Sequence, residues 1–371
     1  MSRAFFFAIG AVGHAFLVQA VPAGSPLQPP GFLNYWAHWD GAWYAAIATR
    51  GYYDAAAPAF FPVYPGAVAA FDLLPGGVAL WGVVVSTIAF CAATFFLYEL
   101  AEQLFDRSAA RATALVFAFF PTAFFFNAVY TESLFVALAA GAVWALRVRR
   151  NLLLALVCAY FATATRNVGI FLLLPLAWEA VVRQRRPLRT TAPGLVLGAG
   201  GLIAWLVFLW RRYGTPLYSE HATRKIWGRQ TAAPWHTLAR AWDEAVHGAG
   251  YAFRPTRVFS TAAALPPFKV AGVVDLAALV LAVALLVVAW RLLPFELWLY
   301  SLLVLVPPVL APSPIMALMS MPRYVLAAFP LFLALGRLLA GRRIALPAWT
   351  SATAAIGIYL TLLFTSWRWI A

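Results

Sequence analysis

Residues 38–53 read HWDGAWYAAIATRGYY. Asp40 is a carboxylate set among Trp36, Trp39, Trp43 and Tyr44. In that company it must be hydrogen-bonded, ion-paired or chemically employed, because burying a bare charge is costly. Other polar groups also interrupt the apolar chain. Tyr130 and Glu132 lie in FNAVYTESLF (126–135), and Arg166 and Asn167 lie in ATRNVG. His221, Arg224, Lys225 and Arg229 lie in YSEHATRKIWGRQTAAPW (218–235), and Arg323 lies in MSMPRYVLAAFP (319–330). Guanidinium forks match phosphate oxygens. These cations are therefore candidates to hold a phosphate.

Plainer explanations stand beside these. Trp and Tyr favour the headgroup layer of a membrane. Thr131 or Ser133 can cap a helix whose first turn holds Glu132, where an acid suits the helix dipole. The 218–235 stretch reads equally as a solvated basic surface, and Arg323 as a side chain snorkelling to headgroups. The sequence contains no G-x-x-x-x-G-K-[ST], G-x-G-x-x-G, H-E-x-x-H or G-x-S-x-G, so neither nucleotide-hydrolysing machinery nor a serine-hydrolase elbow is expected.

The elements that position these residues must cross lipid. Of 371 residues 64% are apolar or aromatic and only 11% are charged, against about 25% charged in soluble proteins. The mean hydropathy is +0.81. The chain reads as an all-α polytopic membrane protein, a single integral membrane domain over residues 1–371. Alternation of the β-barrel kind is absent. The net charge of +14 comes largely from Arg in short loops, which sets topology and meets anionic headgroups; no nucleic-acid partner is expected. Cys91 and Cys158 each lie inside an apolar run, which excludes a disulfide framework or a zinc spacing. The first apolar run is followed by PAGSPLQPPG, without a small-x-small cleavage site, and is read as a retained span.

Apolar runs predict about eleven spans, at 4–21, 78–100, 112–127, 132–147, 152–165, 168–182, 194–211, 270–290, 295–311, 323–340 and 345–367. Arg3, FDRSAAR, RVRRN, RQRRPLR, Arg291 and GRR alternate correctly if the N-terminus is cytoplasmic, by the excess of Arg on that side. The outer side then carries the 22–77 loop with Asp40, the NAVYTES turn, the long 212–269 loop and Arg323. A short helix is expected from Asn34, as cap, to Gly51, with Trp36, Asp40, Trp43 and Ile47 on one stripe. The segment AFFPVYPGAVAAF (59–71) is expected to loop back toward the membrane, since Pro62 and Pro65 oppose a helix. The runs at 152–165 and 168–182 are expected to form a hairpin with Arg166 and Asn167 at its tip, facing protein or a water-filled cavity.

HWDGAWYAAIATRGYY, AFFPVYPG, NAVYTESLFVALA, ATRNVGIFLLLP and MSMPRYVLAAFPLFLALG occur in this order, and the chain in this respect resembles the PIG-V-like mannosyltransferases of the GT-C superfamily. The resemblance runs from about residue 30 to 340. It implies a GT-C-type fold and an inverting transfer of a sugar, mannose in the family, from a polyprenyl-phosphate donor to a lipid or glycan acceptor on the outer face. No cofactor or metal is called for: many GT-C enzymes carry paired acids in the first outer loop, but here Asp40 is followed by Gly41. The resemblance implies Asp40 as the catalytic base. It implies His38, Trp39, Trp43, Tyr44, Tyr130, Glu132, Arg166 and Asn167 as substrate-binding residues. His221, Arg224, Lys225, Arg229 and Arg323 are then the pool for the donor phosphate. The Ala- and Arg-rich chain looks bacterial, with the plasma membrane as its place. The competing reading is a transporter or flippase of lipid-linked sugars.

Overall fold

A chain this poor in polar side chains satisfies its backbone inside helices where lipid surrounds it. The computed structural model describes residues 1–21, 29, 31–71, 74–254, 258–259 and 268–370. Parts of both predicted outer loops, at 22–28, 30, 72–73, 255–257 and 260–267, lie outside the described residues. The main helices are α1 (Ser2–Phe16), α2 (Asp40–Arg50), α3 (Val63–Ala69), α4 (Gly77–Leu104), α5 (Arg107–Ala118), α6 (Glu132–Arg147), α7 (Leu152–Thr163), α8 (Leu173–Ala177) and α9 (Leu188–Tyr213). They continue with α10 (Tyr218–Trp227), α11 (Pro234–Ala252), α12 (Phe268–Leu292), α13 (Phe295–Leu310), α14 (Met321–Ala327), α15 (Pro330–Leu339) and α16 (Ala345–Thr365). No strand occurs among the described residues.

Four helices, α4, α9, α12 from Val270 onward, and α16, are long and apolar enough to cross a membrane. The protein is thus an all-helical integral membrane protein. The expected span at 323–340 is instead a bent pair, α14 and α15, turned by 79°. The bend falls just before Pro330, which cannot donate the backbone hydrogen bond that would continue the helix. With that pair the count of single or broken spans is up to 5, against the eleven apolar runs. The remaining runs fold as shorter helices: α5 and α7 have 12 residues each, α6 has 16. The run at 112–127 is not one helix. It ends α5 at Ala118 and continues as a 3-10 turn at Ala123–Phe126.

α4 packs against α5 and α6, α6 against α7, and α7 against α9; α5 carries α15, α16 carries α1, and α12 carries α11. The 152–182 region does fold as a hairpin. α7 leads to Arg166, and the return runs through a 3-10 segment (Asn167–Leu172), α8 and a π-helical turn (Trp178–Arg183). The Arg-rich loops gather at one end. Gln103 donates to Arg147 O (3.2 Å), Gln184 to Leu146 O (2.7 Å) and Arg186 to Arg150 O (2.6 Å). Arg147 and Arg183 there share Glu296, at 3.1 and 2.9 Å. Glu132 begins α6 and Arg147 ends it, so these two sites lie about 22 Å apart at 1.5 Å per residue.

Arg3 departs from the basic-loop pattern. It is 8% exposed and donates to Ala118 O (3.0 Å), to Ala123 O (2.7 Å) and to the Asn127 side chain. A guanidinium at the end of α5 satisfies carbonyls that the helix leaves open. It thereby anchors the irregular 119–131 stretch that leads to Glu132.

α15 meets α5 at Gly336, where an added Cβ would stand 2.0 Å from Thr113 Oγ1 and 2.7 Å from Thr113 Cα. Gly336→Val should lower the thermal midpoint of the detergent-solubilised protein, by the equivalent of about 1–3 kcal/mol for overpacking. Gly250→Ala, with nothing within 4 Å of the new Cβ, should hold or raise it. Equal midpoints for both variants would show that the α5–α15 contact is not tight.

Candidate active site

Asp40 does not sit in the middle of a helix running from Asn34. Asn34–Trp36 is a 3-10 turn, the chain breaks at Ala37–Trp39, and Asp40 is the first residue of α2, which ends at Gly51 as expected. Trp39 sits at φ +56°, a conformation that costs energy and needs packing to hold it. Trp36 is therefore off the Asp40–Trp43–Ile47 stripe. Pro62 and Pro65 do not prevent a helix either: Pro62 precedes α3 and Pro65 is in its first turn, where missing N–H groups leave no bond unmade.

Glu132 is the first residue of α6. Asp40 and Glu132 thus both stand at helix N-termini, where backbone N–H groups favour negative charge. Two contacts bring these ends together. Val129 N donates to Trp36 O (2.9 Å), and Gly41 packs so closely that a Cβ would lie 3.1 Å from the Tyr130 ring. Tyr130 is fully buried and donates to His38 O (3.1 Å).

Arg323, in the first turn of α14, joins the two acids. Its Nη1 pairs with Asp40 Oδ2 at 2.5 Å and its Nε with Glu132 Oε1 at 2.6 Å. Arg166, from the hairpin tip, meets the same Glu132 oxygen at 2.6 Å. The Arg323 guanidinium also lies over the Tyr130 ring, 4.8 Å from its centroid. Arg323 and Asp40 are 5% and 8% exposed, and Glu132 is 1% exposed. Two carboxylates and two guanidiniums form a set with no net charge, which is the arrangement in which buried ions are tolerated. Glu132 Oε2 is buried without a hydrogen bond. Asp40 has one hydrogen-bonded side-chain oxygen; the other takes none among the described residues.

This cluster opens into a cavity of about 450 Å³, within the range of small-ligand sites. Asp40, Tyr44, Arg166, Asn167, Arg224, Arg229 and Arg323 all line it. The remaining wall includes Phe60, Phe61, Leu202, Trp205, Leu206, Leu217, Trp227, Pro307, Ala311, Ser320, Tyr324 and Trp369. Leu202, Trp205 and Leu206 belong to the membrane-crossing α9. Burial raises the Tyr44 phenol to about 12, so at neutral pH it is a neutral hydroxyl.

Other candidates lie elsewhere. Glu132 and Tyr130 sit beneath the cavity floor, outside its lining. His38 is fully buried, with Nδ1 on Phe364 O (3.0 Å) and its ring stacked on Trp367 at 3.8 Å. Trp39 packs edge-on against Trp367 and Trp369, and Trp43 stacks on Phe60 at 5.6 Å. His221 and Lys225 are exposed residues of α10 outside the lining. Of the five residues expected at the donor phosphate, Arg224 and Arg229 line the cavity beside Arg323 but are engaged differently. Arg224 pairs with Glu220 at 2.5 Å on the cavity rim. Arg229 spends its fork on Ala311 O (3.1 Å) and Met319 O (2.9 Å), holding the loop before α14.

Several wall residues carry little sequence signal. Glu220 was legible as the i,i+4 partner of Arg224. Trp205 looks like any span residue, and Trp369 lies past the last apolar run. The segment carrying Trp369 turns back at Trp367, φ +65°.

A family model described as Mannosyltransferase (PIG-V) matches residues 29–182. That span holds Asp40, Glu132 and Arg166; the motif with Arg323 lies beyond it. A protein of Cryptococcus neoformans named GPI mannosyltransferase 2 is 32% identical over 158 residues, 39% of this chain and 36% of the relative. One of the same name from Drosophila pseudoobscura pseudoobscura is 31% identical over 112 residues, 26% of this chain and 24% of that protein. The chain thus covers well under half the length of these relatives. The resemblance to the PIG-V mannosyltransferases read from the motifs is borne out over residues 29–182. Among solved structures, the Archaeoglobus fulgidus oligosaccharyltransferase is 12% identical, with 99% of this chain and 53% of that chain covered and a TM-score of 0.41.

Removing Arg323 leaves the buried Asp40 without its partner and Glu132 with Arg166 alone, and losing one partner of a buried pair costs about 3–5 kcal/mol. Arg323→Met should lower the thermal midpoint accordingly, and adding Asp40→Asn to it should restore part of the loss. A double variant no more stable than the single one would show that the pair carries no coupling. Burial lowers the His38 pKa to about 3, against an unfolded value of 6.5. The folded protein therefore binds fewer protons between these values, so this contribution to stability is present above pH 6.5 and is lost as pH falls toward 3. The midpoint should drop on going from pH 7 to pH 5, and His38→Gln should flatten that slope; an unchanged slope would refute the assignment.

Proposed function

We propose that the protein is an inverting glycosyltransferase of GT-C type, a mannosyltransferase, that moves a sugar from a polyprenyl-phosphate donor to a lipid-linked or cell-envelope acceptor on the extracytoplasmic side of the membrane. The observation that carries this reading is Asp40. It stands in the cavity wall with one oxygen on Arg323 and the other unengaged.

The acceptor hydroxyl oxygen attacks the anomeric carbon, its proton passes to the unengaged Asp40 oxygen, and the bond from that carbon to the phosphate oxygen breaks. Polyprenyl phosphate leaves. As Asp40 takes the proton it loses its negative charge, while the phosphate gains one. Arg323, already on Asp40, is the cation that the new charge can draw on, so the charge in the cavity is conserved. Preorganised donors of this kind act without reorganising during the reaction. Arg166 steadies Glu132, and Arg229, whose partners are neutral carbonyls, adds positive charge to the cavity wall. The apolar wall of Leu202, Trp205, Leu206, Pro307 and Ala311 suits a prenyl chain arriving from the membrane.

Placement outside the cytoplasm is supported by the Arg-rich loops gathering at the far end of α6 from the cavity, since Arg is enriched in cytoplasmic loops. A transporter would hold its binding groups near the midplane, between repeated halves. Here the ionised groups stand at one end of α6.

Asp40→Asn should fold normally and bind the donor but transfer sugar about 10²–10⁴-fold more slowly. The assay uses purified protein, radiolabelled polyprenyl-phosphate mannose and membrane acceptors, with new glycosides identified by mass spectrometry. Full activity of that variant removes Asp40 from the chemistry. Movement of the donor across proteoliposomes with no glycoside formed would point to a transporter instead.

A further inference from the structure

Asp275 is a carboxylate that the proposed reaction leaves without a task. It lies in the membrane-crossing α12 and is 1% exposed. Its Oδ2 has no hydrogen bond among the described residues. Its Oδ1 accepts one, from Met321 N (3.2 Å). An ionisable side chain inside a span is costly and by default marks a function. Met321 opens α14, and Arg323 stands two residues further on.

The backbone at that point is strained. Ser320, in the cavity wall, has φ +71°, a conformation that persists only where the surroundings enforce it. Here they do so from both sides. Arg229 donates to Met319 O (2.9 Å), just before Ser320, and Asp275 accepts from Met321 N, just after it. The Met321 N–H is shared with Leu318 O (2.9 Å). No neighbouring side chain caps α14, so Asp275 supplies from another helix what the local sequence does not. α11 fixes the rest of the loop. Glu244 accepts from Ala317 N (2.9 Å), and Arg240 donates to Ser313 O and Pro314 O (3.2 Å each). The direction in which α14 starts decides where the Arg323 guanidinium meets Asp40 and Glu132. We infer that Asp275 is a positioning residue: through the Met321 N–H and the strained Ser320 it aims Arg323 at Asp40. This role deepens the glycosyl-transfer reading and rests on it, whereas the placement of Arg323 can be observed without any transfer.

Arg323 Nε donates to Glu132 at 2.6 Å, so its Nε–H should give a protected NMR resonance in the full chain, carrying isotope-labelled arginine, in nanodiscs. Arg323→Lys assigns that resonance by deleting it. Asp275→Leu should move or broaden it. Asp275→Asn, whose amide oxygen still accepts from Met321 N, should keep it. Asp243→Asn, exposed on α11, is the control and should match the wild type. Thermal midpoints certify that each variant is folded. In the sugar-transfer assay Asp275→Leu should lower kcat by about 10²-fold, the scale of a misplaced catalytic group, with the donor KM little changed. Added to Arg323→Met it should cause no further loss, because residues acting through one group are not additive; a merely structural role would multiply the two losses. An unmoved resonance in folded Asp275→Leu, multiplied losses, or Asp275→Asn behaving as Asp275→Leu does would overturn the assignment. So would failure of both Asp275→Leu and Asp275→Ala to fold, which makes Asp275 a stability residue. A resonance that moves as expected while no form of the protein transfers sugar would retain the placement of Arg323 and reject the reaction.

Discussion

One guanidinium organises this protein. Arg323 reaches Asp40 with one nitrogen and Glu132 with another while almost fully buried. Each acid opens a different helix, and the cation opens a third. Charges withdrawn from water are stable only when their partners are held at contact distance. The ends of α2, α6 and α14 must therefore converge, and Arg166 brings the hairpin tip to the same point. A planar fork suits this task because it meets two carboxylates along separate N–H directions, which a lysine ammonium on its flexible stem does less well.

Irregular backbone gathers around that point. The break at Ala37–Trp39, the 119–131 stretch, the hairpin tip at 164–167 and the loop before α14 all lack long regular helix. In lipid such segments would leave peptide groups unsatisfied. Here they are served from within: Arg3 binds the carbonyls of Ala118 and Ala123, Arg229 those of Ala311 and Met319, and Trp36 O receives Val129 N. Long apolar spans give the frame. The charged side chains within it hold the non-helical segments that a cavity needs.

The cavity is a product of the whole chain. The matched family segment at 29–182 supplies Asp40, Glu132 and Arg166. Arg323, Arg224, Arg229, the apolar wall of α9 and Trp369 come from after it. The segment at 366–370 does more than end α16. It gives His38 its stacking partner Trp367 and puts Trp369 against Trp39, so the strained backbone beside Asp40 is held from the far end of the sequence.

Composition by itself determined that this is a helical membrane protein, because apolar runs of that length have no other stable form in lipid. The isolated Asp40, Glu132, Arg166 and Arg323 also stood out, since ionised groups in such a chain need partners. The number of crossings was not legible: hydropathy does not report that α5 stops at Ala118 or that α14 and α15 meet at 79°. Nor was the division of labour among similar residues. His38 and Tyr130 are packing groups, while Tyr44 and Trp369 line the cavity. Only tertiary structure decided which acid met which cation, because those pairs join residues up to 283 apart in the chain. Local pattern extends over a few turns of helix, whereas contacts at such separations follow from how whole helices pack.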